Sequence, residues 1–251
     1  MYHRIAHDRS ERRYTVLAGN FEQQLVFLRD HDYQVITLDA VVDALDGRTS
    51  LPEKSIVLTF DDGFRDTVEY ACPILRRFGY SATFFLISGL MGRSNEWMQR
   101  EGHKSSPLID WSDARNLFAE GFVVGSHSVS HPSLPAVDLP AARREIEGSK
   151  QTLEQQLSVP IKYFAYPYGR FNHSIQEVVR EVGYVAACST QAGFNGPTAE
   201  RFALRRLDVF GTHSLTAFRR NLIFGENEMN AVKLLAYYAR RATSRIATNL
   251  R

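Results

Sequence analysis

Three glycines constrain what this chain can fold into. Gly79, Gly121 and Gly183 each stand between an amphipathic segment and an apolar run rich in Val, Ile, Phe or Tyr. A glycine just past a helix end reaches the left-handed conformation that closes the last turn. Helix, glycine and strand repeated along one chain predict parallel strands joined by crossover helices, an α/β fold in a single domain. The apolar runs predict strands at 33–38, 55–60, 82–87, 122–126, 163–165 and 184–188. Apolar spacing predicts helices over about 20–30, 67–78, 112–119, 141–157 and 174–182, the first with Phe21, Leu25 and Leu28 on one face. Ser112 is expected to cap its helix, with Trp111 packing beneath it.

In parallel α/β folds, chemistry gathers at the carboxyl ends of strands. Two stretches at such ends stand out. LTFDDG (58–63) ends an apolar run on two adjacent carboxylates, Asp61 and Asp62. GSHSVSH (125–131) places His127 and His131 four residues apart. On a helical turn, that spacing would bring both imidazoles to one face, within reach of one ion. Two imidazoles and a carboxylate suit Zn²⁺, Fe²⁺, Co²⁺ or Ni²⁺ and leave positions open for water. A third stretch, YFAYPYGRFN (163–172), contains the turn Tyr166-Pro167-Tyr168-Gly169. At a strand end it is expected to wall a substrate groove and present a backbone N–H.

Composition narrows the partners. Lys plus Arg number 30 against 28 Asp plus Glu, a net charge of +2 that gives no ground for a nucleic-acid partner. No stretch approaches the ~20 apolar residues of a membrane span. The start, MYHRIAHDRS, lacks the apolar core of a secretion signal, so a cytoplasmic location is expected. Cys72 and Cys188, outside any CxxC spacing, read as buried thiols.

TFDDG, HSVSH and the PYG turn, in that order, resemble the polysaccharide deacetylase family (the NodB-homology domain, carbohydrate esterase family 4). The resemblance covers about residues 2–220 and includes YHRI, FEQQLVFLRDHDYQVITLD, IDW, GSHSVSHPSL and LRRLDV. It implies an irregular (β/α)7-type barrel over residues 1–225; the remaining 226–251, outside the resemblance, read from their own composition as a basic helical tail. It implies a metal-dependent hydrolase that removes N-acetyl groups from amino sugars of a glycan. One divalent ion, Zn²⁺ first among the candidates, would be held by Asp62, His127 and His131. Asp61 would be the general base, and the Tyr168 backbone N–H would stabilise the oxyanion.

Two departures from the family pattern matter. No C-terminal Leu-x-x-His motif supplies a general acid. The N-terminal Tyr2-His3 matches a permuted variant, so His3 is expected in that role, with His213 as the alternative. Ala165 stands where many members carry an arginine that orients the base. Arg205 or Arg206 is expected to replace it, one of them paired with Asp208. Trp97, in the polar stretch 92–107, is expected to offer a sugar-stacking face, or else to lie in a surface loop. Tyr166, Pro167 and Gly169 are expected to line the substrate groove. The 232–251 segment carries no acidic residue and is expected to pack on the barrel rather than contact a membrane surface. Two other functions remain open from sequence: a glycan-binding homologue without turnover, and a deacylase of a non-sugar amide.

Overall fold

The computed structural model describes residues 1–7, 13–99 and 104–227. Two short parallel pairs flank a five-stranded parallel sheet. β1 (Arg4–Ala6) pairs β2 (Thr15–Leu17), and β3 (Gln34–Val35) pairs β4 (Ser55–Ile56). The sheet runs β5 (Thr59–Phe60), β6 (Thr83–Leu86), β7 (Val123–Ser126), β8 (Tyr163–Ala165), β9 (Ala186–Cys188), in chain order. It curls. Tyr2 bridges Phe60 at one edge, Leu204 bridges Cys188 at the other, and Val209 N–H donates to Met1 O across the remaining gap. This is the α/β barrel of irregular closure that the sequence pointed to.

Alternation along the strands separates two cores. Tyr2, Phe60 and Phe84 form a cross-strand aromatic ladder on the outer face, with ring centroids 5.3 and 4.8 Å apart. Over this face lie α1 (Ala18–Asp30), α3 (Arg65–Phe78), α5 (Trp111–Ala119), α6 (Leu139–Leu157), α7 (His173–Glu181) and α8 (Leu215–Phe224). Phe85, Tyr163, Ala165 and Cys188 point the other way, into the barrel, where Leu38 and Val42 of α2 (Leu38–Leu45) join them. Gly125 of β7 makes room for this interior, since a Cβ there would lie 2.5 Å from the Phe85 ring. Asp61 is two residues beyond Thr59. Both contact the buried Arg206, so the first carboxylate of the pair enters the barrel interior.

Several expectations need correcting. The run 33–38 is not one strand: Thr37 accepts the Ala40 N–H and starts α2, which had gone unrecognised. The run 55–60 divides between β4 and β5, which belong to different sheets. Asp110, not Ser112, caps α5: its carboxylate accepts the N–H groups of Ser112 and Asp113 while Asp113 accepts the Asp110 N–H. α8 and the short α4 (Glu96–Gln99) were also unforeseen. The three glycines take left-handed φ of 66°, 84° and 89° behind α3, α5 and α7, as their spacing required. Both cysteines are buried free thiols. The tail expected at 226–251 lies outside the described residues beyond Asn227.

Candidate active site

At the carboxyl ends of the strands lies a solvent-open cavity of about 360 Å³. Asp61, Asp62, His127, His131, His3, Trp97, Tyr166, Tyr168, Gly169 and Asp208 all line it. Pro167, Arg205 and His213 do not. Pro167 is buried behind the turn, and the Arg205 guanidinium donates outward to Ala192 O.

Asp62 and Gly63 both adopt φ of 74°, so the chain turns sharply as β5 ends. The turn sends the two carboxylates to different partners. Asp62 faces both imidazoles, with His127 Nε2 and His131 Nε2 at 3.4 and 3.5 Å from its Oδ1. The three ligand atoms lie within 4.8 Å of one another, and all three residues are buried. The histidines do not stand on a helical turn. They lie on an irregular loop after β7, in which Ser128 and His131 take φ of 66° and 62°. Two left-handed residues, rather than the i, i+4 helical geometry, bring the rings to 4.8 Å.

The donor chemistry fits a divalent ion. His127 Nδ1 lies 2.8 Å from Ala165 O, so that nitrogen carries a proton and Nε2 is the atom turned to the site. Burial pushes His131 down to about 3, which keeps its imidazole neutral. Burial also presses on His127, but Asp62 and Asp61 outweigh it and lift that imidazole above its usual value. Burial raises Asp62, and His127 with the other imidazoles overrides it, leaving the carboxylate ionised. His131 Nδ1 is buried with no hydrogen-bond partner among the described residues.

Asp61 has a different environment. Arg206 grips it with two parallel bonds of 2.7 Å, Nη1 to Oδ1 and Nη2 to Oδ2, and both residues are buried. Burial raises the Asp61 carboxyl, but the guanidinium, His127 and His3 hold it far below the usual carboxylate range. Arg206 is itself held by Ser189 O at 2.9 Å. Of the two expected arginines, Arg206 therefore reaches Asp61 and Arg205 does not. Asp208 forms no ion pair with either among the described residues; its carboxylate accepts from the Asn227 side-chain amide, its backbone N–H donates to Asn227 Oδ1 at 2.7 Å, and burial raises its carboxyl. The Ala165 side chain is buried in the barrel, and the carbonyl of that residue serves His127.

The walls are aromatic. His3 packs edge-on against Tyr14 at 5.2 Å, while His213 meets the Phe210 ring edge-on at 5.1 Å and its Nδ1 accepts the Phe210 N–H. Tyr168 takes φ of 57°, leans on His131 at 4.6 Å and is 40% exposed. Trp97 is not an open sugar platform: it sits in α4, only 9% exposed, with its ring against His131 at 4.9 Å and near Phe64. The Tyr166 hydroxyl is committed to Phe202 O at 2.9 Å. Sequence reasoning missed Tyr14, Phe64 and Phe210 as wall residues, because each reads as ordinary core from its neighbours.

Comparison with known proteins bears on the family and the fold. The polysaccharide deacetylase family model matches residues 48–187. YxkH of Bacillus subtilis (strain 168) is 26% identical over 218 residues, 87% of this chain and 73% of that protein. The poly-beta-1,6-N-acetyl-D-glucosamine N-deacetylase of Staphylococcus aureus (strain MSSA476) is 23% identical over 203 residues, 77% of this chain and 67% of that one. Among solved structures, IcaB from Ammonifex degensii aligns with a TM-score of 0.76 at 25% identity, over 89% of this chain and 94% of its own. The Streptococcus pyogenes deacetylase PplD in complex with acetate shares the fold, with a TM-score of 0.76 at 24% identity, over 88% of this chain and 96% of its own. With the family model spanning more than half its length, the chain belongs to the polysaccharide deacetylase family.

Proposed function

We propose that this protein is a metal-dependent hydrolase that removes N-acetyl groups from amino sugars of a polysaccharide or oligosaccharide. The observation that carries the reading is the buried Asp62, His127 and His131 group beside the clamped Asp61, at the floor of an open cavity. A divalent ion held by those three residues supplies Lewis-acid chemistry, polarising a carbonyl and acidifying water. Zn²⁺ is the leading candidate, with Co²⁺, Ni²⁺ and Fe²⁺ compatible with the same donors.

The chain's own groups divide the remaining work. Asp61 stays ionised and takes the proton as water adds to the acetyl carbonyl. The Tyr168 N–H donates to the oxyanion that forms, since the left-handed turn at that residue sits beside His131. His3, which also lines the cavity, gives a proton to the nitrogen as the C–N bond breaks, leaving acetate and a free amine. Exposed Tyr168 offers the mouth an aromatic face for a sugar ring. A glycan-binding homologue without turnover would be favoured by Ala165 in place of an arginine and by the absent C-terminal histidine motif. Arg206 brings a guanidinium to Asp61 by another route, which supports turnover.

Acetate release from N-acetylglucosamine oligomers tests the proposal, after chelation and return of Zn²⁺, Co²⁺ or Ni²⁺. Asp61→Asn is expected to lower kcat by ~10²–10⁴ while still binding metal. His3→Ala is expected to lower kcat and leave metal content unchanged. Stoichiometric metal binding without acetate from any N-acetylated glycan would reject the substrate class.

A further inference from the structure

The loop that carries both histidines adopts a conformation that it does not favour by itself. Two non-glycine residues, Ser128 and His131, sit in the left-handed region, which is unfavourable for a residue with a Cβ and persists only where the surroundings offset it. The surroundings are specific. On one side, Ser88 N–H donates to Ser128 O at 3.1 Å and Gly89 N–H to Val129 O at 2.9 Å. Gly89 allows that approach, because a Cβ there would lie 2.6 Å from Val129 O. Within the loop, Ser128 Oγ accepts the His131 N–H at 3.0 Å.

On the other side stands one carboxylate of α6. Glu145 Oε2 accepts the N–H groups of Val129 at 2.9 Å and Ser130 at 2.8 Å. Its Oε1 accepts the Ser130 hydroxyl at 2.7 Å. All three N–H groups between Ser128 and His131 thus end on side-chain oxygens, two of them on Glu145. Among the described residues Glu145 has no ion pair, so its charge is met by these donors. Ser149, one turn further along the same face of α6, is tied to Ser126 at the end of β7 by a buried hydroxyl contact of 2.7 Å. Gly148 lies between them, and a Cβ there would lie 3.4 Å from the Val129 side chain. α6 is therefore a fixed backing for this loop.

We infer that Glu145 is a positioning residue for the Asp62, His127 and His131 site: it sets the loop and so aims the His131 imidazole, without touching substrate or ligand atoms. The inference rests on the metal reading of that site. Its signature is a loss of metal affinity out of proportion to the loss of stability. An ordinary helix-to-loop tie would lower the melting temperature and leave the bound ion's environment alone.

The test is Co²⁺ titration of the full chain, read by the visible absorption band, with Zn²⁺ competition and thermal melts alongside. Glu145→Ala is expected to weaken affinity by ~10–100-fold and to alter the Co²⁺ band. Glu145→Gln keeps the shape and an acceptor for both N–H groups, and is expected to restore most of the affinity. Arg143→Ala breaks the ion pair of α6 with Glu181 and is expected to leave the Co²⁺ band and affinity unchanged. Wild-type affinity and band in Glu145→Ala would overturn the inference. Should that variant fail to fold, Ser130→Ala decides, since it removes one of the three bonds: weakened affinity supports the role, and unchanged affinity and band reject it. Absence of Co²⁺ and Zn²⁺ binding by the unaltered chain would overturn the metal reading itself.

Discussion

Asp61 and Asp62 are neighbours with different surroundings, and the difference underlies the separate roles proposed for them. Asp62 meets two imidazoles, whereas Asp61 meets a guanidinium with both oxygens. Removing one partner from a buried pair leaves an uncompensated charge, so Arg206→Met should cost about 3–5 kcal/mol, seen as a large drop in melting temperature. Because Asp61 has its folded-state pKa held below that of an unfolded chain, its contribution is complete above that ordinary value and is lost as pH falls below it. The melting temperature should therefore fall more steeply between about pH 4 and pH 2 in the native sequence than in Asp61→Asn. The two imidazoles differ as well. His131 is kept neutral, while His127 is lifted above its usual value by the carboxylates. At about pH 6, Zn²⁺ binding should release close to one proton, from His127, because a ligand imidazole must be neutral. Calorimetry in buffers of different ionisation enthalpy measures that number.

Among the elements, loops at strand ends hold the reactive groups while helices hold the loops. The turn after β5 and the loop after β7 use left-handed residues at Asp62, Ser128 and His131, and the turn after β8 uses one at Tyr168. Gly169 completes that last turn at φ of 65°, where a Cβ would lie 2.0 Å from Thr190 Oγ1. Inside the barrel the tight contact is between Gly125 and Phe85. Gly125→Ala should destabilise by about 1–3 kcal/mol through overpacking, measured by denaturant unfolding. These elements were unevenly legible. β8 and the long helices were readable because their apolar period runs uninterrupted. α2 was hidden because Tyr33–Val35–Ile36 reads as a strand until Thr37 caps a helix.

At the scale of the whole molecule, closure of the sheet joins residues far apart in the chain. Asp61 N–H donates to Tyr2 O at 3.0 Å, and Val209 N–H to Met1 O at 2.9 Å, so His3, Asp61 and Arg206 meet only because the sheet curls. No helix among the described residues is long and apolar enough to cross a membrane. An ion bound only by the folded chain stabilises it by about 2.7 kcal/mol at a hundredfold excess over Kd. For a chain of 251 residues that is a rise of ~5–10 °C in melting temperature, reversed by chelation. A thermal shift with and without chelator checks it, and a chain with Asp62→Ala should show no such rise.

The amino-acid sequence determined the alternation of helix and strand and the family, and it picked out Asp62, His127 and His131, which the fold gathers, because each is written in local pattern: glycines behind helices, carboxylates ending a strand, two histidines in one short loop. Tertiary structure alone decided which arginine serves Asp61. Arg205 and Arg206 are adjacent and chemically alike, and only the direction of one backbone step sends Arg206 inward and Arg205 to the surface. It also decided that His3 rather than His213 lines the cavity, and that Glu145 backs the histidine loop. Those outcomes depend on contacts between segments up to about two hundred residues apart, and no local periodicity encodes them.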